Sequence, residues 1–596
     1  MNVNHLSGLL KSDRAIQPTT TNLKAGQMIS GRVQELYPNN RALISIGNQQ
    51  IVAQLETSLS AKQSYLFQVL STGDITKLKV LTEQTGGNNA QLEAMLKQLG
   101  INVPKEARSF IQSLINQNIA FTPNQSKEML SLLQQYGNSN ETKAQIMEMM
   151  SKGLPITREV FNSLTSLKEG QLGDKLQMVA NSLSTSSAST SVEQLLRERL
   201  APFLTNSNNT MLNVMQKMNN NQPTELFTLF QKAALIPPNM SQAEFTSSIR
   251  RGLTQTNGAL PFNTTPERVM EALSNLAEKQ NVLLKDSQLN NVINRLSTNI
   301  NQPERINEWK QFIIQMNIDT KVKPMLSQNE NAQLTNWIQN KTSTVTENQQ
   351  IINMLTNLQQ KQTTPVESGM MRALILANDQ QTLQAPFPVK HQFLALLKEF
   401  IQVSGLNDEV ILATPSKETP QPTEFSMKQL LMQGMAQSSE VGNDRMMQLL
   451  STLTGMQLQN IQAEMNNPNL QLVIPGEKLG LPNDMFMEFE GYKKNENGEI
   501  DADYCKILFH LELSNIGETV IQMAVQNRVV NIAIYNNAIE ELGLEESNKA
   551  LLKTALSNLD YHLSSVSFKK INEEETLPQK NKVSHENFSE GFDFRV

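Results

Sequence analysis

The residues whose side chains could support chemistry are few, and their spacing works against it. Cys505 is the single thiol of the chain and His510 the nearest imidazole. Five positions apart along an alternating stretch, they point to opposite faces of a strand and lie too far apart to share a metal. Asp560 and His562 sit two apart on a stretch whose leucines predict a helix, where such neighbours do not face one another. No serine stands in a Gly-x-Ser-x-Gly turn that could complete a hydrolytic set. Glu540, Glu541, Glu545 and Glu546 flank Gly543 at a turn and helix start, a place where carboxylates serve the helix dipole. Gly26 and Gly31 fall in a strand pattern with no Lys-Ser or Lys-Thr after them, so the phosphate-loop arrangement is missing. The expectation is a non-enzymatic protein with no catalytic residue, no cofactor and no metal site.

Composition agrees with a binding or regulatory protein. The chain has 596 residues, of which 39% are hydrophobic, 5% aromatic and 18% charged. The apolar and charged shares both fall below globular norms of about 45–50% and 25%, which predicts modest helical packing and uncharged polar stretches rather than one dense core. With 51 Lys and Arg against 57 Asp and Glu, the net charge of -6 is too small to steer the whole chain to nucleic acid or to an anionic membrane. The longest apolar runs, near residues 373–377 and 393–397, fall far short of the roughly 20 residues that span a bilayer. No secretory signal is readable at the N-terminus, and one cysteine excludes an internal disulfide; both fit a cytoplasmic location.

The elements that would have to position any site divide the chain into a multidomain α+β plan. Residues 1–24 read as a disordered leader. Between 25 and 82, short β-branched runs at 26–33, 42–47, 50–53, 65–70 and 76–81 are separated by turn residues such as Pro38-Asn39-Asn40 and Gly47-Asn48. They predict a small five-stranded barrel resembling the oligonucleotide/oligosaccharide-binding kind. The period then changes to about 3.6 over a long Gln- and Asn-rich middle, with helical regions at 88–181, 192–414 and 425–465. Leu92, Met95, Leu96 and Leu99 mark the first helical face; Phe110, Ile111, Leu114 and Ile115 mark the next, and Thr122-Pro123 restarts the pattern before Met129, Leu130, Leu132 and Leu133. A Ser/Thr linker at 182–191 and a Pro-rich linker at 415–424 interrupt this middle, which is expected to be open, with its many methionines filling gaps in the core.

Strands return in a small α+β domain at 466–572, ahead of a polar tail at 573–596. Ile507, Phe509, Leu511 and Leu513 alternate with Leu508, His510 and Glu512, as a half-buried strand does. Gln526-Asn527-Arg528 suits a tight hairpin between two valine-rich runs, and 566–571 reads as a last strand. Leu552, Leu556, Leu559 and Leu563 fall on one helical face able to cover the sheet.

The stretch Ile507-Leu508-Phe509-His510-Leu511-Glu512-Leu513-Ser514-Asn515-Ile516-Gly517 resembles the C-terminal domain of the flagellar hook-length control protein family, itself related to needle-length regulators of type III secretion. Ser514-Asn515 stands where that family commonly carries a proline. The order of barrel, helices and hook-control-like end is similar to that of Gram-positive relatives. The resemblance implies a regulator whose C-terminal domain contacts the cytoplasmic part of an export-gate membrane protein, and it allows signal-independent export through a flagellar-type apparatus. It assigns Leu511, Leu513, Ile516 and Gly517 to the motif that shapes the domain, with Val520 and Val530 in the sheet core. The alternative is an oligonucleotide-binding protein acting through the barrel. Against nucleic acid as a partner stand the few barrel aromatics, mainly Tyr37, Tyr65 and Phe67, and the lack of a dense run of cations.

Overall fold

The computed structural model describes residues 23–83 except Asn48 and Asp74, then 104–184, 191–204, 210–254, 260–262, 264–281, 286–315, 318–322, 326–377, 389–408, 425–436, 440–460, 469–493, 500–538, 546–557 and 559–571. Residues 1–22 of the expected leader, the helical face from Leu92 to Leu99, the 185–190 and 415–424 linker stretches, Glu540, Glu541 and Glu545, and the tail from 573 lie outside the described residues. The fold is mixed α+β and multidomain, with an N-terminal barrel, nineteen α-helices among the described residues of the middle, and a small C-terminal sheet. Two compact units result: Met1–Ala463 with Ile474–Gly480, and Glu464–Val473 with Leu481–Val596.

The barrel is built from β1 (Met28–Tyr37), β2 (Arg41–Ile46), β3 (Gln49–Leu55), β4 (Ser64–Ser71) and β5 (Thr76–Glu83), closed in the order β1-β2-β3-β5-β4. β3 and β5 run parallel; the other pairs are antiparallel. Closure leaves no raw edge on strands this short. At the β1–β2 turn Asn39 and Asn40 hold φ of 63° and 55°, a left-handed conformation that asparagine tolerates. The interior is filled by Ile29, Val33, Ala42, Ile44, Ala53, Leu55, Tyr65, Phe67, Val69 and Leu78. Gly31 is required there, since a Cβ at that position would lie 2.7 Å from Ile44 Cγ2 and 3.3 Å from Phe67.

β1 and β4 are apolar on both faces for a separate reason. Met28 and Leu66 turn out of the barrel into a second core shared with Phe110, Met129 and Leu133 of the first described helices and Phe121 between them. Met28 and Phe121 also exchange backbone hydrogen bonds of 2.7 and 3.2 Å. The helices start where the sequence supplies caps. Thr122 before Pro123–Tyr136, Thr344 before Val345–Lys361 and Thr364 before Pro365–Leu376 each form a reciprocal capping box with the Gln or Glu three residues on. The middle is less open than its composition predicts. Helix Glu440–Gln459 returns against Arg158–Lys168, where Ser166 and Thr452 hydroxyls meet at 2.8 Å. The buried ammonium of Lys175 donates to the Ser166 carbonyl at 2.8 Å and to the Thr452 hydroxyl at 3.0 Å. Met149, Met150 and Met446 lie in the core, whereas Met447 is exposed.

The second unit is a six-stranded sheet of β6 (Asn469–Ile474), β7 (Met485–Lys493), β8 (Ile500–Leu513), β9 (Gly517–Gln526), β10 (Val529–Asn536) and β11 (His562–Lys569), in the order β11-β10-β9-β8-β7-β6. Strands β7 to β10 pair antiparallel in chain order; β11 joins β10 in parallel after a crossover containing helix Glu546–Ser557. Asn527 and Arg528 hold φ of 49° and 64° in the two-residue β9–β10 turn, the geometry that matches strand twist.

One helical expectation fails. Leu552 and Leu556 pack on the sheet, but the helix stops at Ser557, leaving Leu559 exposed and Leu563 on β11. Asp560 takes φ of 65°, its N–H donating to Ser557 O at 3.0 Å while Tyr561 N–H donates to Leu556 O at 2.9 Å. This paired termination satisfies the last carbonyls and turns the chain into β11. Asp560 and His562 are therefore a helix-end residue and a strand residue, not two positions of one helix.

Candidate nucleic-acid interface

Strand register sets one row of side chains on the outside of the barrel. Tyr37 on β1 pairs with Arg41 on β2, Arg41 with Gln54 on β3, and Gln54 with Lys77 on β5. Directly paired residues point to the same face, so four strands spaced about 4.8 Å apart carry these groups side by side across about 14 Å. Their chain neighbours Ala42, Ala53 and Leu78 are wholly buried in the barrel, which fixes the row on the outside. All four side chains of the row are exposed. Two positions along, half-buried Leu43 pairs with Val52, which is 48% exposed, and the pair adds an apolar strip beside the polar row.

The side chains of Arg41, Gln54 and Lys77 have no hydrogen-bond or ion-pair partner among the described residues. The Tyr37 hydroxyl donates to Glu35 Oε2 at 2.8 Å, and that bond, ahead of slight burial and the glutamate charge, raises the phenol above its ordinary range. The ring stays neutral at physiological pH with its face open. Residues 23–83 hold six Lys and Arg against four Asp and Glu, so this segment is cationic within a chain of net charge -6. Chemically, the row offers two cations for phosphate oxygens, an aromatic face for a base and an amide for a base edge.

Counting aromatics misjudges this surface in both directions. Tyr65 and Phe67 lie inside the barrel with ring centroids 6.0 Å apart, and neither can stack on a ligand. Tyr37 alone among the three expected aromatics is exposed. The two cations of the row, scattered in sequence, are brought to one face by pairing. A sequence signal for this existed in Arg41 and Gln54, polar residues at alternate positions of β-branched runs, but pairing β3 with β5 requires the closed barrel.

The residues drawn from the C-terminal motif occupy a different kind of place. Leu511 and Leu513 are half-buried at the end of β8, paired with Thr519 and Gly517. Ile516 precedes Gly517 in the connecting turn, where Gly517 holds φ of 72°. Val520 and Val530 are both buried. They face opposite sides of the sheet, because Val530 pairs with Val525, an odd number of positions from Val520. The residue that organises the turn is Asn536, absent from the motif. Fully buried, its amide donates to Ile516 O at 3.1 Å, Glu518 O at 3.0 Å and Thr519 Oγ1 at 2.8 Å, and accepts from Ala538 N–H at 2.7 Å.

Cys505 packs beside Val525 and Val530, where burial, followed by the charges of Asp501 and Asp503, pushes the thiol up to about 11. His510 lies near the Phe486 ring, 6.0 Å between centroids. Among the described residues no group of three His, Cys, Asp or Glu could hold a metal ion, and no helix is long and apolar enough to cross a membrane.

Comparison with known proteins points to the barrel. Residues 4–79 match the family described as TP0910 S1-like domain. The chain is 22% identical over 565 residues to "Uncharacterized protein YlqG" of Bacillus subtilis (strain 168), an alignment covering 91% of this chain and 89% of that protein. No solved structure gives a significant match. The family match lies on β1 to β5, away from the C-terminal motif that resembles hook-length control proteins.

Proposed function

We propose that the protein is a non-enzymatic oligonucleotide-binding protein that engages single strands through the outer face of its N-terminal barrel. The observation that carries this reading is the register-aligned row Tyr37, Arg41, Gln54 and Lys77, exposed on four adjacent strands. The S1-like match over residues 4–79 supports it, as does the cationic balance of the same segment. An export-gate partner has no comparable support, since its only basis is a C-terminal motif whose residues are occupied in shaping a turn and a sheet.

Fluorescence anisotropy of the full chain with labelled single strands of about 12 nucleotides at low salt tests the proposal. Binding should weaken as salt rises, and replacing Arg41 and Lys77 with Ala together should lower the salt slope by about 1.4. Tyr37→Ala should weaken binding at least about fivefold through loss of one stacked base. No detectable binding at low salt, or variants that bind like the parent, would remove the proposal.

A further inference from the structure

Resting on that reading, we propose that Glu35 makes the barrel face selective for single strands containing guanine, by accepting both donors of the guanine Watson–Crick edge. A bulge between Val33 and Glu35 sets the geometry. Val33 pairs with Ile44, so unbroken pairing would place Glu35 opposite Ala42, an interior position; the bulge sets it opposite Leu43 instead, on the outer face. Bulges re-aim side chains in this way. Glu35, Leu43 and Val52 then form a second row on β1, β2 and β3, about 7 Å along the strands from Tyr37, Arg41 and Gln54. A base laid on Leu43 and Val52 turns one edge to the carboxylate, while Arg41 and Lys77 of the first row hold phosphates.

Glu35 is exposed, and the Tyr37 hydroxyl donates to its Oε2 at 2.8 Å, the one hydrogen bond of this carboxylate among the described residues. That bond holds the group beside the apolar strip and leaves Oε1, with a further lone pair of Oε2, to meet a ligand. A carboxylate only accepts. Guanine carries two donors side by side, N1–H and the 2-amino group, and both can meet the two oxygens as a bidentate pair. Adenine sets its N6 donor beside the N1 acceptor, cytosine its N4 donor beside the N3 acceptor, and uracil its N3 donor between two acceptors. Each of these three turns a base acceptor toward the carboxylate, which repels it.

The test measures the full chain by anisotropy at low salt against labelled strands of equal length: oligo-U, and uridine alternating with guanosine, adenosine or cytidine. The guanosine strand should bind about tenfold tighter than the other three, through two charge-assisted hydrogen bonds. Inosine, which keeps N1–H but lacks the 2-amino group, should lose about half of that preference on a logarithmic scale. A strand of 7-deazaguanosine, altered away from the Watson–Crick edge, should keep all of it. Glu35→Gln should bring the four strands within about twofold of one another, because a carboxamide meets a donor beside an acceptor on every base. The same variant should tighten oligo-U, since a negative charge leaves a face that holds phosphates. Glu35 is exposed, so the variant should retain the parent circular dichroism. Equal binding of the four strands, or a guanine preference that survives Glu35→Gln, overturns this inference alone. A preference kept by inosine and lost with 7-deazaguanosine does so too, because it places the contact on the other edge. Absence of binding to every strand overturns it together with the nucleic-acid reading.

Discussion

The barrel and the C-terminal sheet are both made of short strands with β-branched cores, yet they use their polar side chains in opposite ways. In the sheet those groups are engaged within the fold. Arg528, at the β9–β10 turn, donates to Asp503 at 2.8 Å and Asp560 at 2.6 Å, and Asn536 satisfies the turn around Ile516. In the barrel, the β3–β5 pair closes the sheet, and the outward groups of Arg41, Gln54 and Lys77 stay unengaged among the described residues. Charge separates the regions further. Residues 469–571 hold nine Lys and Arg against fifteen Asp and Glu, whereas residues 23–83 hold six against four. The barrel segment is therefore net positive and the sheet segment net negative. The difference teaches that the same kind of strand can spend its polar groups on the fold or leave them on the surface.

The largest expected effect comes from Gly31→Val. Its side chain has no room beside Ile44 and Phe67, and overpacking a closed barrel should cost about 3 kcal/mol. Hydrogen exchange at the β2 and β3 amides should accelerate accordingly; unchanged protection would show that the barrel interior is looser than the packing indicates.

Asn536→Ala should follow at about 2 kcal/mol, because it removes a wholly buried amide that bonds the part-buried Ile516 and Glu518 carbonyls and the buried Thr519 hydroxyl. Urea unfolding read through exchange of the β8–β9 amides checks this. A loss under about 0.5 kcal/mol would mean that the Gly517 turn holds itself together and that the sheet does not depend on internal polar bonds.

Arg528→Ala should cost less, about 0.5–1 kcal/mol, since the guanidinium is 43% exposed and its partner Asp560 is 82% exposed. The same measurement in high salt should shrink the difference between parent and variant. A salt-independent loss would assign the effect to the stacking of Arg528 over Tyr561, 5.7 Å from guanidinium to ring centroid, instead of to charge.

The smallest effect is a pH dependence confined to the alkaline side. Burial raises the Cys505 thiol from 9.0 to about 11, so the folded protein binds its proton more tightly than the unfolded chain. Stability from this group is complete below pH 9 and declines as pH rises toward 11. Alkylation of Cys505 at pH 9 should be several-fold slower in the native protein than in urea. Equal rates would place the thiol in solvent and remove it from the sheet's core.

Much of the fold was legible because it is local. Turn residues between β-branched runs located β1 to β5, and Asn527-Arg528 located the β9–β10 hairpin, since each turn type demands left-handed φ that Asn and its neighbours tolerate. Thr122-Pro123 located a helix start because a threonine oxygen caps the first turn and proline fits its first position. The leucine spacing from 552 to 563 misled because periodicity says nothing of termination, and Asp560 ended the helix where no glycine announced it. Asn536 was silent as well: one amide acquires its role only when β10 lies beside the turn that precedes β9.

By itself the sequence determined a barrel, a helical middle and a C-terminal sheet, along with an excess of cations in the barrel segment, because turns, periodicity and charge are properties of neighbouring residues. Tertiary structure decided which side chains meet. A bulge between Val33 and Glu35 shifts β1 against β2 and brings Tyr37 opposite Arg41. Parallel pairing of β3 with β5 then sets Gln54 beside Lys77 across a gap of 23 positions in the chain. A one-residue change of register would turn each of these side chains to the other face, so the row exists only because the closed barrel and its packed interior fix the register.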